Sequence, residues 1–257
     1  MNTRLRSKGQ KPDDAARRFA IFGTGRVGRN MAAYLRSLGH ETTPITRSDA
    51  TGDPARARVL ASEADVVAVA IPDDKLAAWA RDWRGAFEGK PVIHFSGAIL
   101  VDGMMSYHPL YSFPRGELSP ATMRMIALAR QEGAPPFADL APGAPNPEFV
   151  VADADRAYYH ALAVLSGNFA AFLWNETARG FAGRLAIEPE TMLASYLSGV
   201  VERFRESPFD SLTGPVARRD QATVEANLKA LQGEPKLASL YRSFLEAAWP
   251  AFERKDS

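Results

Sequence analysis

The first part of the chain alternates between short apolar runs and segments with helical periodicity. Runs of strand length occur at Arg18–Phe22 (RFAIF), Ala64–Ile71 (ADVVAVAI) and Lys90–Gly97 (KPVIHFSG). After Gly28, apolar residues instead recur every three or four positions, which indicates an amphipathic helix. Strands that alternate with helices pack into a parallel sheet covered on both faces, so the pattern predicts a doubly wound α/β domain.

The second part of the chain has a different pattern. Two further candidate strands, Thr122–Ala129 and Pro147–Ala152, are followed only by helical signals. The predicted helices cover about Asp153–Arg184, Glu188–Arg205, Ala217–Leu231 and Pro235–Phe252. We therefore predict a disordered tail at residues 1–16, an α/β domain at residues 17–152 and an all-helical domain at residues 153–257.

Composition narrows the classes of function. The 257 residues carry a net charge of +1, which provides no general attraction to nucleic acid or anionic membranes. The absence of cysteine excludes disulfides, thiolate catalysis and cysteine-ligated metals. No apolar run approaches the ~20 residues that span a bilayer, and the basic N-terminus lacks the apolar middle of a signal peptide. We expect a cytoplasmic protein with a small-molecule partner and no metal site.

A glycine-rich turn follows the first predicted strand. The segment GTGRVG has the pattern G-x-G-x-x-G and leads into a predicted helix. In that context the first glycine permits a tight turn, the second lets the backbone approach a pyrophosphate, and the third lets helix and strand pack closely. The helix N-terminus adds free N–H groups for phosphate. We therefore predict a Rossmann-type dinucleotide site that includes Gly23, Thr24, Gly25, Arg26, Val27 and Gly28.

The end of the second predicted strand favours NADP over NAD. An NAD site places an acidic residue there to bind the ribose 2′-hydroxyl, whereas this chain has Thr46, Arg47 and Ser48. A guanidinium binds a phosphate through two hydrogen bonds, so Arg47 suits the 2′-phosphate of NADP, and Arg26 can add a second cation. The alternatives are that Arg47 is a solvated loop residue and that Asp49 binds the ribose of NAD.

Ile71 and Pro72 come directly after a buried strand. Ligands of doubly wound sheets bind beyond the carboxyl ends of the strands, so these residues are expected to border the ribose and nicotinamide. For Asp73, beside them, the role of a helix N-cap is the simpler interpretation.

Histidines and hydroxyls interrupt two later apolar segments. His94 and Ser96 lie at the carboxyl end of a predicted strand, in HFSG. His108 follows a second apolar segment, in SYHP. Histidine exchanges a proton near neutral pH, so His108 or His94 is predicted to be a proton donor, with Ser96 as a helper. The alternative is that both are core histidines whose ring nitrogens bond to backbone.

Several segments together resemble one family. HFSGAI, HPLYSF, NPEFV, YYHALAVLSGNFAAFLWNE and LTGPVARRD, taken with GTGRVG, are similar to the Rossmann-like and DUF2520 family of NADP-dependent oxidoreductases, in the 6-phosphogluconate dehydrogenase-like superfamily. The resemblance covers nearly the whole chain from about Arg17. It implies a Rossmann domain, an all-helical C-terminal domain and NADP, and leaves the substrate undefined. One position departs from it: Arg219 stands where the family pattern GPV-x-R-G-D has glycine.

The helical part supplies two asparagines as further candidates. Asn168 and Asn175 are two turns apart on one predicted helix, so they share a face and can orient a substrate carbonyl or the nicotinamide carboxamide. Hydroxyacid dehydrogenases of the wider superfamily have the motif G-x-x-x-K-x-x-x-N on the comparable helix, with lysine as acid and base. This chain has Gly167, Ala171 and Asn175 there, so alanine stands at the lysine position. We therefore do not expect lysine-assisted hydroxyacid oxidation. The alternative is that both asparagines cap neighbouring backbone or face solvent.

The segment SLTGPVARRD joins two predicted helices. Thr213, Gly214, Arg218 and Asp220 are predicted to contact the substrate, and Arg218 suits a carboxylate or phosphate. The alternative is an ordinary turn with a solvated basic patch.

These features predict an NADP-dependent oxidoreductase that moves hydride between the nicotinamide and a small carbonyl or imine held between the two domains. Two alternatives stay open. One is a non-catalytic NADP sensor. The other is a prephenate dehydrogenase-like enzyme, suggested by the pair His108–Pro109, which requires an arginine pocket that the sequence does not locate. Dense apolar positions along Tyr158–Phe181 also predict a homodimer through the helical domain, although a helix buried within one subunit has the same pattern.

Overall fold

The structure is a computed structural model that describes residues 15–253. The predicted disordered tail, residues 1–16, lies outside the described residues apart from Ala15 and Ala16.

A single sheet forms the centre of the N-terminal part. Its strands are β1 (Arg18–Phe22), β2 (Glu41–Ile45), β3 (Val66–Val69), β4 (Val92–His94), β5 (Met105–Pro109), β6 (Leu128–Gln131) and β7 (Glu148–Val151). They lie in the order β2-β1-β3-β4-β5-β6-β7. The first five strands are parallel, β6 is antiparallel to β5, and β7 is parallel to β6. The predicted Rossmann-type doubly wound sheet is therefore confirmed, with one antiparallel pair that the pattern did not reveal.

Helices cover both faces of this sheet. They are α1 (Arg26–Ser37), α2 (Arg47–Gly52), α3 (Pro54–Ser62), α4 (Asp73–Trp83), α5 (Pro120–Met125) and α6 (Phe137–Leu140). Side chains of β1 alternate between two apolar clusters: Phe19 packs with Met31 on one face, and Phe22 packs with Trp79 on the other. A strand that is buried on both faces reads as a continuous apolar run, as RFAIF does.

One predicted strand is wrong in part. Residues Thr122–Met125 belong to helix α5, and the strand β6 begins only at Leu128. This segment forms a helix rather than a strand because two features favour a helix start. The Ser119 hydroxyl accepts a hydrogen bond from the Thr122 N–H at 3.1 Å, and Pro120 occupies the first helical position.

The C-terminal part is helical, as predicted. Its elements are α7 (Arg156–Val164), a π-helical segment (Leu165–Phe169), α8 (Ala170–Arg184), α9 (Pro189–Glu206), α10 (Gln221–Ala230) and α11 (Pro235–Glu253). The predicted helix from Ala217 begins later, at Gln221, because Asp220 caps it through the Thr223 N–H at 3.1 Å.

The chain divides into two compact units, Met1–Gly167 and Asn168–Ser257. Helix α7 thus belongs with the sheet, and the boundary after Ala152 stays a prediction. Within the second unit, the buried carboxylate of Glu176 pairs with Arg179 and with Lys236, the latter at 3.0 Å.

Candidate functional site

The candidate site lies at β1, where the order of the strands in the sheet changes direction. Strand β1 pairs with β2 on one side and with β3 on the other. In open α/β sheets this switch point leaves a crevice beyond the carboxyl ends of the strands, where ligands bind. The glycine-rich turn follows β1 at this point, and the Gly23 N–H donates to the Ile45 carbonyl of β2 at 2.9 Å.

The three positions of the turn are glycine for different physical reasons. Gly23 has a φ of 98°, and a Cβ there would strike the Ala70 carbonyl oxygen. A Cβ on Gly28 would strike the Gly23 carbonyl, so both positions need glycine for packing. Gly25 has an ordinary φ of −66°, and nothing in the protein lies within 4 Å of where its Cβ would be. Protein packing therefore does not explain Gly25. The same is true of Gly52 and Gly85, so the feature that distinguishes Gly25 is its position at the N-terminus of α1, where a bound group would need that space.

The start of α2 forms a capping box. Thr46 is the N-cap, and its hydroxyl accepts the Asp49 N–H at 3.2 Å. The Asp49 carboxylate in turn accepts the Thr46 N–H at 2.9 Å and the Thr46 hydroxyl at 2.6 Å. These hydrogen bonds lower the pKa of Asp49. The carboxylate is thus engaged with the helix start, while Arg47 is exposed at the first helical position and Ser48 bonds the Thr46 hydroxyl at 2.8 Å.

Asp73 is not the N-cap of α4. That position belongs to Pro72, and Asp73 is the first helical residue. Its Oδ2 accepts a hydrogen bond from the Ser96 hydroxyl at 2.8 Å. The simpler interpretation of Asp73 from the sequence is therefore wrong, and the carboxylate links β3 to the loop after β4.

Ser96 lies at the centre of a hydrogen-bond network in that loop. Its oxygen accepts the N–H groups of Ala98 at 3.2 Å and Ile99 at 3.1 Å, in addition to its bond to Asp73. Its carbonyl accepts the Ser106 hydroxyl at 2.7 Å. A hydroxyl has one proton and two lone pairs, so the bonding capacity of Ser96 is used within the protein.

His94 ends β4 and is fully buried. Its Nδ1 accepts the Ser96 N–H at 3.2 Å, which places the ring proton on Nε2. Nε2 is buried and has no hydrogen-bond partner in the described part of the chain. Burial, together with the positive charge of Arg156, lowers the pKa of His94 to about 4, against the opposing effect of Asp73. The imidazole is therefore neutral at pH 7.

His108 is half-buried in β5 and contacts helix α7. Its Nδ1 shares a hydrogen bond of 2.7 Å with the Tyr159 hydroxyl, and its ring centroid lies 5.9 Å from that of His160. Gly97 lies against both imidazoles and leaves no room for a Cβ. Burial lowers the pKa of His108 to about 4, with smaller contributions from His160 and Arg156.

Sequence reasoning missed the residues of α7 that complete this cluster. Arg156, Tyr159 and His160 are spaced i, i+3 and i+4, so one face of the helix presents all three. Arg156 is only 2% exposed, and none of its guanidinium nitrogens has a hydrogen-bond partner among residues 15–253. Burial raises the pKa of Tyr159 to about 12. The spacing was visible in DRAYYH, but only the fold brings it beside His94 and His108.

The second unit holds the other predicted site residues. Asn168 is in the π-helical segment and Asn175 is in α8, and both are exposed. Arg218 is exposed, while Asp220 is occupied as the N-cap of α10. The substrate roles predicted for these residues, for Thr213 and for Gly214 stay predictions.

Arg219, the position that departs from the family pattern, has a φ of 55°. This left-handed region favours glycine, which is the residue that the pattern has there.

No group of metal-ligating side chains is found among the described residues. Within residues 15–253, none of the helices combines the length and apolar character of a membrane span.

Comparison with known proteins confirms the resemblance drawn from the sequence. Residues 126–248 match the family model described as "Domain of unknown function (DUF2520)". A protein from Bacteroides fragilis, provisionally described as an NADP oxidoreductase, is 18% identical, with 91% of this chain and 98% of that chain covered and a TM-score of 0.69. A protein from Thermotoga maritima is 22% identical, with coverage of 93% and 100% and a TM-score of 0.68.

The 1-pyrroline-5-carboxylate reductase of Streptococcus pyogenes is 15% identical, with 91% of this chain and 99% of that chain covered and a TM-score of 0.56. At these identities the three likenesses establish a shared fold. None of the curated proteins matches this chain.

Proposed function

We propose that this chain, which contains a DUF2520 match at residues 126–248 and a Rossmann-type sheet, is an NADP-dependent oxidoreductase acting on a small carbonyl or imine compound. The observation that carries the proposal is Gly25. This residue leaves open space in front of the α1 N-terminus at the switch point of the sheet, where a pyrophosphate would bind. Two proteins of similar fold, one provisionally described as an NADP oxidoreductase and one a 1-pyrroline-5-carboxylate reductase, support it.

The start of α2 supports NADP as the preferred cofactor. Arg47 is exposed and offers its guanidinium to a 2′-phosphate, with Arg26 at the start of α1 as a second exposed cation. The alternative partner for a ribose 2′-hydroxyl, Asp49, is held at the helix start by two bonds from Thr46 to its Oδ2, so only Oδ1 is left for the ribose. The capping box thus weakens the NAD alternative.

Bound NADPH would supply a hydride, and the protein would orient the acceptor. Tyr159 keeps its proton at neutral pH because burial raises its pKa to about 12, so its hydroxyl can donate to Nδ1 of His108. That bond leaves the ring proton on Nε2, which can polarise a carbonyl or imine as a neutral hydrogen-bond donor. A pKa of about 4 argues against His108 as a proton donor in its charged form at pH 7.

This role of His108 is tested by NADPH consumption in a screen of small carbonyl and imine compounds. We expect His108→Gln to lower turnover by roughly 10²–10³-fold, as for the loss of one preorganised hydrogen-bond donor, while NADPH affinity stays unchanged. Tyr159→Phe should also lower turnover, because it removes the hydroxyl that fixes the tautomer. Tyr158→Phe is the matched control, since Tyr158 is 67% exposed. Equal turnover in all three variants would exclude this assignment.

A non-catalytic NADP sensor is the second candidate. It is favoured by the absence of a lysine at Ala171 and by the low pKa values of His94 and His108, which leave neither imidazole charged at pH 7. A sensor would bind NADPH and consume none in the screen.

A further inference from the structure

Arg156 is a buried cation with no hydrogen-bond partner and no ion pair among the described residues. It is 2% exposed, yet Nε and both Nη atoms make no hydrogen bond among the described residues. A guanidinium has five N–H donors and no acceptor, and removing them from water without a partner is strongly unfavourable. Proteins rarely keep such a group unless something pairs with it. The local structure therefore lacks an acceptor.

The acids nearest in the fold do not supply this acceptor. Asp73 faces the same histidines, but its carboxylate accepts the Ser96 hydroxyl at 2.8 Å. The negative charge of Asp153 opposes the lowering of the Arg156 pKa by burial, but Asp153 is exposed and its hydrogen bond is with the Gln131 amide at 3.5 Å. No ion pair joins either carboxylate to Arg156 within the described residues.

A second unsatisfied donor lies in the same cluster. Because Nδ1 of His94 accepts the Ser96 N–H, Nε2 carries the proton, and this buried N–H also has no acceptor. Arg156 lies one helical turn before Tyr159 and His160, which both contact His108. His94 lies on the neighbouring strand opposite Ser106, and the charge of Arg156 contributes to the lowered pKa of both histidines. Two buried donors without an acceptor form a receptor for an anion.

The position of this receptor separates it from the cofactor phosphates. His94 ends β4 and His108 lies in β5, whereas the glycine turn follows β1. Strand β3 lies between β1 and β4, so the two positions are about 10 Å apart at a spacing of about 4.8 Å per strand. The receptor is therefore on the side of the crevice where the reacting group of a substrate would lie.

We propose that Arg156 and His94 bind the carboxylate of the substrate, which is accordingly a small 2-oxo or 2-imino acid. The proposal rests on the proposed function: with the carboxylate on Arg156, the adjacent carbonyl or imine lies toward His108. Arg156 suits this role because a guanidinium binds a carboxylate through two parallel hydrogen bonds. Since its nitrogens are shielded from solvent, a neighbouring side chain must move for the ligand to enter.

The test uses the full chain saturated with NADP⁺ and three probes: pyruvate, 2-oxoglutarate and methyl pyruvate. Melting temperature and calorimetric binding are measured for the wild type, Arg156→Met, Arg156→Lys and the control Arg124→Met, in which an exposed arginine is replaced. NADPH affinity is measured for each protein, so that failure of the proposed function is recognised separately.

We expect at least one of the two oxo acids to raise the melting temperature of the wild type and of Arg124→Met, and the uncharged ester methyl pyruvate to have no effect. Arg156→Met should weaken oxo-acid binding by about tenfold or more and leave NADPH affinity unchanged. Its unliganded melting temperature should be unchanged or higher, because methionine removes a buried unpaired charge.

Three results would overturn the proposal while NADPH binding is intact: no response of the wild type to either oxo acid, an equal response to the ester, or an undiminished response in Arg156→Met. If Arg156→Met does not fold, Arg156→Lys decides. Lysine keeps the charge but loses the two-point geometry, so a weakened oxo-acid response supports the proposal and a full response refutes it. Loss of NADPH binding by the wild type would instead count against the proposed function.

Discussion

At the scale of single residues, the structure explains why some polar positions lie where they do. The sequence identified His94 and Ser96 at the end of a strand, and both are there. It could not show that Ser96 is saturated by Asp73, Ala98 and Ile99, because those bonds depend on how two loops meet. It also missed Arg156, whose importance lies in its burial without a partner, a property that no local pattern reveals.

Arg47 is the residue predicted to determine the preference for NADP over NAD. We expect Arg47→Ala to weaken NADPH binding and to leave NADH binding nearly unchanged, because only NADPH has the 2′-phosphate that the guanidinium binds. The loss should be about tenfold or more, since hydrogen bonds to charged groups contribute about 1.5–3 kcal/mol. Dissociation constants of both cofactors measure the effect, with Arg36→Ala as an exposed-arginine control. An unchanged NADPH to NADH ratio would show that Arg47 does not contact the 2′-phosphate.

The buried histidines predict how stability depends on pH. In the folded protein the pKa of His94 and of His108 is about 4, compared with 6.5 for an ordinary histidine. Between these values the unfolded chain binds more protons than the folded one. Their contribution to the free energy of unfolding is therefore fully present above pH 6.5 and is lost as the pH falls from 6.5 to about 4.

Urea unfolding of the wild type should consequently show a lower midpoint at pH 5 than at pH 7. His94→Gln removes one of the two titrating groups, so its midpoint should change less over the same interval. The difference between the two proteins isolates His94 from the carboxylates that titrate nearby. An identical pH dependence for both would mean that His94 titrates normally in the folded state.

At the scale of elements, helical periodicity predicted most boundaries well, and the exceptions have local causes. Helix α5 replaced part of a predicted strand because Ser119 and Pro120 form a helix start. The π-helical segment at Leu165–Phe169 had no recognisable signal in the sequence, since its extra residue per turn is a small local change. Pairing of β6 antiparallel to β5 likewise depends on the connection between them rather than on either strand.

Helix α9 is the element that best supports the predicted homodimer. None of its 18 residues is buried. Met192, Tyr196, Val200 and Phe204 recur every fourth position and are 45–67% exposed, so they form one apolar stripe on its surface. Most helical stability in proteins comes from packing of an apolar face, so an exposed stripe of this kind is the surface at which the predicted homodimer would form.

We therefore expect a dimer in solution, measured by light scattering coupled to size-exclusion chromatography. Tyr196→Glu, which places a charge in the middle of the stripe, should convert the dimer to a monomer. Glu202→Gln, on the same helix and exposed, is the matched control and should remain dimeric. If the wild type is monomeric at micromolar concentration, the prediction of a homodimer is wrong.

At the scale of the whole molecule, the alternation of strands and helices was sufficient to predict the Rossmann-type sheet and the helical C-terminal part. The glycine turn was predictable too, because its meaning depends only on the elements on either side of it. The cluster of His94, His108, Arg156 and Tyr159 was not, since its members come from two strands and a helix that are distant in the sequence. Local patterns thus predicted the cofactor site, whereas the cluster proposed to bind the substrate becomes visible only in the fold.

The most direct test of the account is an NADPH titration, followed by nicotinamide fluorescence, of the wild type and of Gly25→Val. Valine fits the φ of −66° and its Cβ meets nothing within 4 Å, so we expect the variant to keep the wild-type melting temperature. Its branched side chain would occupy the space needed by the pyrophosphate, so we predict that NADPH binding is lost. Undiminished NADPH binding by a folded Gly25→Val protein, or no binding by the wild type, would contradict the central claim.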